Sequence, residues 1–245
     1  MTAEGEEQVR ALLCGKDSET VLVSLRLRLL QRPPSVWGIA FFFPDQDVAF
    51  ACADLLRTYS PPAEDAWIAS LEYIDAAGIA LAEAYRAQLP QLQSMPAVPA
   101  GVQGMICTKI EGSEEGTWQT LSDLMNRTAA CGADPDTAWA FRGRTETARM
   151  RTYRHAVTEA VNRYTAEKHA QDPGIVRVSA DRKMDYAPSF AEAVAGCRRE
   201  LEKDSLSAVV CAHIRRMELA VMLLPESSQD VLLGEALTET WETER

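Results

Sequence analysis

The sequence predicts an α+β fold: a largely antiparallel sheet covered by helices on one face, built from two ferredoxin-like βαβ units. Three observations carry that expectation. A strand–helix–strand–helix succession of similar lengths occurs twice, over 36–88 and 103–168. The strand segments are short apolar runs rich in β-branched and aromatic residues, whereas the helical segments space their apolar residues three and four apart. Finally, the stretch 206–225 (LSAVVCAHIRRMELAVMLLP) is nearly all apolar and is interrupted once, at Arg215-Arg216. Its β-branched content fits two strands of about seven residues meeting at that dipeptide better than one helix.

Taken in order, residues 4–14 are expected to form a short helix, and the apolar–polar alternation from Val21 to Leu30 predicts a half-buried strand closed by Arg32-Pro33-Pro34. VWGIAFFF (36–43) is a buried strand. Pro44-Asp45 then opens a helix with Val48, Cys52, Leu55, Leu56 and Tyr59 on one side. WIASLEYID (67–75) is the next strand and leads into a helix over Ala76 to Gln88. LPQLQSMPAVPAG (89–101) is a Pro-rich surface loop. The strand GMICTKIEG (104–112) runs into a helix from Ser113, with Glu114 and Glu115 in its first turn and a stripe of Trp118, Leu121, Leu124 and Met125. The helix over 144–168 carries Met150, Tyr153, Val157, Ala160, Val161 and Tyr164 on its core face. A further helix places Phe190, Val194, Cys197 and Leu201 inward ahead of the 206–225 hairpin. The last helix, Ser228 to Thr243, turns Val231, Leu232 and Leu237 to one side, and Trp241 is either a core residue or an anchor for another chain.

Composition bounds the function. The 245 residues suffice for one large domain or two small ones. A formal net charge of −11 speaks against nucleic acid as the main partner, since phosphate binding needs a concentrated basic surface. The six cysteines (Cys14, Cys52, Cys107, Cys131, Cys197 and Cys211) are scattered, with no CxxC pair. They read as buried free thiols in a reducing compartment. The start, MTAEGEEQVR, is acidic and lacks the apolar stretch of a signal peptide. No apolar run reaches the ~18 residues of a membrane span. A cytoplasmic protein is expected.

The hairpin carries a resemblance. Its segment from Ala212 to Pro225 is similar to the G-H-I-G-D-N-H-L-H-V-N-x-L-P hairpin in the C-terminal cap domain of the FAD-linked oxidase family, the D-lactate dehydrogenase and glycolate oxidase type. His213, Ile214, Leu219, Val221, Leu224 and Pro225 fit that frame. The family's second histidine, a metal ligand in many members, falls on Ala220, and its asparagine falls on Met222. The third ligand, a glutamate of a later E-H-G motif, would lie beyond Arg245. One ligand of three does not hold a divalent ion, so the resemblance implies no metal in this chain. The Gly-Asp turn is replaced by Arg215-Arg216, which tolerates positive φ poorly; a wider turn is expected. The two cations are either a solvated turn or a contact for an anion or an acidic partner surface.

The resemblance extends over most of the chain. Residues 21–30 match the strand at which the family's flavin domain hands over to the cap. GKDSETV (15–21) stands where the family has a G-S-E-G-T-L-G run against FAD, and Gly15 alone is left of its glycines. Backbone approach to a pyrophosphate depends on such glycines. The resemblance therefore implies a lead-in over 1–20, a remnant of the flavin-domain junction, and a cap domain over 21–245. It implies no cofactor bound by this chain alone, with FAD supplied by a partner subunit. The L-E-Y-I-D ending gives Glu72 and Asp75 as residues near flavin and substrate, or alternatively as a strand end and a helix N-cap. RMRTYRHAVTEAVN is similar to R-L-W-x-x-R-x-A-x-P-E-x-x-N. It sets Arg154 on the arginine that meets a substrate carboxylate, with Arg151 in place of the tryptophan and Thr158 in place of the proline. Arg149, Arg151 and Arg154 can equally form a wet cationic helix face. Asp181 is in register with an aspartate of the family's x-x-K-V-x-x-D-M-A-V-P run.

Two functions follow from the resemblance. One is an accessory, non-catalytic cap subunit within a larger flavin-containing oxidoreductase, bound to a FAD-binding or other oxidoreductase subunit or to copies of itself. The other is the substrate-binding half of a split FAD-dependent dehydrogenase of the D-lactate or glycolate type. In that version Arg154, Glu72 and Asp75 face the substrate, and His213 acts as a base or orients one. On its own terms, a lone histidine beside a turn is more often structural than functional.

Overall fold

The structure, a computed structural model, describes Ser24, Leu29 and residues 31–184 and 186–243. The chain divides into the units Met1–Arg32 and Pro33–Arg245. The expected helix over 4–14, Cys14, the remnant around Gly15 and all but Ser24 and Leu29 of the 21–30 strand lie outside the described residues.

The second unit is built on one seven-stranded sheet of β1 (Ser35–Phe43), β2 (Ala66–Asp75), β3 (Gly104–Gly112), β4 (Trp139–Arg142), β5 (Ser179–Lys183), β6 (Ala208–His213) and β7 (Glu218–Leu223). Its order is β4-β1-β3-β2-β6-β7-β5, and every neighbouring pair is antiparallel. The helices are α1 (Gln46–Arg57), α2 (Ala76–Ala84), α3 (Glu114–Ala130), α4 (Arg144–His169), α5 (Phe190–Lys203) and α6 (Ser228–Thr243). The first four strands, ordered β4-β1-β3-β2, are the two ferredoxin-like units expected from the repeat: α1 crosses from β1 to β2, and α3 crosses from β3 to β4.

Helices cover both faces of the sheet, which corrects the expectation of a single covered face. Ile39, Phe41 and Phe43 of β1 enter one core with residues of α1, α3, α5 and α6. Ala40 and Phe42, pointing the other way, enter a second core with Ile79 and Ala82 of α2 and with Tyr153, Val157 and Val161 of α4. The physical cause is visible in β1 itself. All but one of its residues are buried, and a strand without a polar face needs cover on both sides.

Local chemistry sets the helix ends. The Asp45 carboxylate accepts from the backbone N–H groups of Asp47 and Val48 at 2.8 and 3.0 Å, and the Ser113 hydroxyl accepts from Gly116 at 2.9 Å. Asp45→Ala is expected to cost about 1 kcal/mol of stability, measured by urea unfolding. Helix α2 stops at Ala84, short of the expected Gln88, and a 3₁₀ turn follows at Arg86–Gln88. The 89–101 segment is more than a surface loop, since Leu89, Leu92 and Met95 are buried. Arg86 holds that segment by donating to the carbonyls of Leu92 and Pro96 at 2.6 and 3.1 Å.

Three residues expected on core stripes face outward instead: Leu55, Trp118 and Leu232 are all exposed. Trp118 rests against Trp37, with ring centroids 6.0 Å apart. Trp241 is a core residue. It is buried, its indole N–H donates to Glu200, and the Arg182 guanidinium lies 4.8 Å from its ring centroid. The hairpin turn is the wider one that Arg215-Arg216 required, a 3₁₀ turn over Ile214–Arg216. The positive φ (51°) falls on Met217, so neither arginine takes it. Cys52, Cys107, Cys197 and Cys211 are buried, Cys131 is half-buried, and all five are free thiols.

Candidate functional site

The middle of β2 sets out the site. Glu72 pairs with Cys107 on β3 and with His213 on β6. Cross-strand partners point to the same face of a sheet. Cys107, Glu72 and His213 therefore form a row across three strands, on the side that α2 and α4 cover. Arg154 descends from α4 onto that row. The helix buries Met150, Tyr153 and Val157, so the residue between them reaches the sheet along the helix flank.

Three of the four residues singled out from the sequence meet here. The Arg154 Nη1 donates to Glu72 Oε1 at 2.9 Å, and its Nη2 lies 3.0 Å from His213 Nε2. His213 Nδ1 in turn lies 3.5 Å from the same Glu72 oxygen. A guanidinium can only donate, so Nε2 of His213 must accept, which assigns the ring proton to Nδ1 on the side of Glu72. The lone pair that a catalytic base would use is thus held by Arg154. Nitrogen-15 NMR of the His213 ring should show Nδ1 protonated. In Arg154→Met that constraint disappears, and the Nε2–H tautomer should gain population.

Asp75 does not join the group. It is 1% exposed, and its oxygens accept from the backbone N–H groups of Gly78 at 2.8 Å and Val210 at 3.0 Å, with Arg198 at 3.5 Å. It caps α2 and ties β6 to the end of β2. Burial pushes its carboxyl up from the ordinary 3.8 to about 6, against the pull of those two N–H groups and Arg198.

Two clefts flank Arg154. One, of about 260 Å³, is lined by residues that include Glu72, Cys107, Lys109, Met150, Arg151 and His155. The other, of about 190 Å³, is lined on its far side by Arg177, Asp181, Cys211, Ala220 and Met222. The position that the resemblance assigns to a second metal-binding histidine therefore opens into a cleft beside Arg154, but as a methyl group. Among the described residues no group of three or more His, Cys, Asp and Glu side chains is arranged to hold a metal ion. A methyl and a thioether do not suit a hard divalent cation, so the residues present do not fit the metal that the resemblance brings with it.

The arginine face of α4 separates into individuals. Arg149 pairs with Glu146 and packs over Phe141, Arg154 is engaged as described, and Arg151 is exposed on the cleft wall. Lys109 and Cys107 reach the site from β3. Nothing in the sequence marked them, because their proximity arises from the β2–β3 register. Among the described residues no helix is long and apolar enough to cross a membrane.

No protein-family model matches the chain, and no curated protein is significantly similar to it in sequence. Solved structures do match in fold. A 4-ethylphenol oxidase from Gulosibacter chungangensis, in complex with isoeugenol, superposes with a TM-score of 0.54 at 14% identity over 89% of this chain and 46% of that one. A p-cresol methylhydroxylase with substrate bound gives 0.52 at 12% identity, over 86% and 43%. An alkyldihydroxyacetonephosphate synthase gives 0.52 at 10% identity, over 86% and 40%. The chain spans less than half the length of each of these proteins. At these identities the likeness extends to the fold alone.

Proposed function

We propose that this chain is an accessory, non-catalytic cap-type subunit that works within a larger flavin-containing oxidoreductase, beside a FAD-binding or other subunit. The observation that carries this reading is the closed state of Arg154. Its guanidinium is already bonded to Glu72 and His213, so the arginine expected to grip a substrate acid holds the protein's own side chains together. Ala220 and Met222 in the adjoining cleft support the same reading, because they provide nothing that could stabilise a developing alkoxide. FAD would be held by the partner, and the cytoplasm is the compartment in which five free thiols persist.

The juxtaposition of Arg154, Glu72 and His213 favours a second reading, the substrate-binding half of a split FAD-dependent dehydrogenase of the D-lactate or glycolate type. A substrate carboxylate would displace Glu72 from Arg154 and so free His213 Nε2. One experiment separates the two. The complex is isolated gently from its native source, its visible spectrum is read for flavin, and it is reconstituted with Arg154→Ala or His213→Ala subunits. An accessory subunit predicts a flavin-bearing complex whose turnover changes by less than about 2-fold. The split enzyme predicts a loss of about 100-fold or more.

A further inference from the structure

We infer that the cleft between α4 and the β2–β3 surface is a binding site for a small multivalent oxyanion of the diphosphate kind, held by Arg151 and Lys109. The chain as a whole is strongly acidic, at −11. Yet Lys109, Arg151, Arg154 and His155 converge on the 260 Å³ cleft. An adjoining depression of about 200 Å³ shares Lys109, Thr147 and Arg151 and adds Arg144. The two openings form one basic trough along the first three turns of α4.

The carboxylates that reach this trough are already committed. Glu72 is bound by Arg154, and Glu111 pairs with Lys109. On the helix beside it, Glu146 pairs with Arg149. Arg144 donates to the Pro33 carbonyl at 3.1 Å. Arg151 and His155 have no hydrogen-bond or ion-pair partner among the described residues, and both are exposed at the cleft. Among the described residues Lys109 pairs with Glu111, two positions along its own strand, so a bound anion would share the ammonium with that carboxylate. Arg151 is thus left without a local counter-charge, and an unpaired guanidinium on a cleft wall attracts anions from solution. The planar donor fork of Arg151, with Lys109 lining the same cleft, suits a compact ligand carrying two or more charges. Nothing in this inference requires a flavin-bearing partner.

Inorganic pyrophosphate, titrated calorimetrically into the full chain at low ionic strength, tests it. Saturable binding with a dissociation constant below about 1 mM is expected. Arg151→Gln and Lys109→Gln should each weaken it about 10-fold or more, because each removes one charge-assisted contact. Arg216→Gln, whose side chain lies exposed on the hairpin turn, should leave it unchanged. Circular dichroism establishes that each variant is folded, and thermal shift with pyrophosphate gives a second readout. No saturable heat up to about 10 mM, or equal weakening by all three substitutions, overturns the site.

Discussion

Phe190→Ala is expected to lower the unfolding free energy by about 3–5 kcal/mol. Phe190 begins α5, is fully buried, and sits edge-on to Phe50 of α1 and Tyr73 of β2, with ring centroids 5.8 and 5.4 Å apart. Three elements distant in sequence thus meet at one ring. Removing it takes away the transfer free energy of an aromatic side chain and leaves a void that rigid neighbours fill only in part. The backbone N–H of Phe190 also donates to Asp54 at 2.6 Å, so the helix start is fixed and can move little toward the gap. Urea unfolding followed by circular dichroism measures the loss, and Phe190→Leu should recover most of it, to within about 1.5 kcal/mol of wild type. If alanine costs less than about 1 kcal/mol, the three rings do not form the packed junction described.

Asp75→Ala is expected to cost about 2–3 kcal/mol at neutral pH, through loss of the α2 cap and exposure of two buried N–H groups without acceptors. The pH dependence is the sharper measurement. Desolvation raises the Asp75 carboxyl from 3.8 to about 6, so the folded state binds this proton more tightly than the unfolded chain does. The stability linked to that proton is fully present below pH 3.8 and is lost as pH rises through about 6. A rise from 3.8 to about 6 corresponds to roughly 3 kcal/mol. Asp75→Asn removes this titration. Its stability deficit relative to wild type should therefore be largest near pH 4 and shrink by up to that amount by pH 7. A deficit independent of pH over that interval would show that Asp75 titrates normally. The sign is opposite to that of an ordinary salt-bridged aspartate, because burial here outweighs the hydrogen bonds.

Much of the sheet was legible in the sequence because apolar runs such as VWGIAFFF and GMICTKIEG admit few other states, and because Asp45, Asp75 and Ser113 carry the side chains that cap helices. Burial stripes were read less well. Trp118, Leu55 and Leu232 satisfy a helical period yet face solvent, since periodicity marks a face without saying how wide its cover is. Asp75 illustrates the same limit at the site. The sequence left it between a substrate contact and a helix cap, and only its buried position against Gly78 and Val210 distinguishes the two.

By itself, then, the sequence determined much of the succession of strands and helices, though it located neither β4 nor β5, and it determined the repeated βαβ unit, the wide Arg215-Arg216 turn and the absence of histidine and asparagine at Ala220 and Met222. These are local properties, fixed by residue type and near-neighbour spacing. Only the tertiary structure decided that both sheet faces are covered, that Arg154 closes on Glu72 and His213, and that Arg151 and Lys109 share a cleft. Those outcomes depend on strand order and register, which bring residues 82 and 59 positions apart into hydrogen-bonding distance, and no pattern within a single segment records such a meeting.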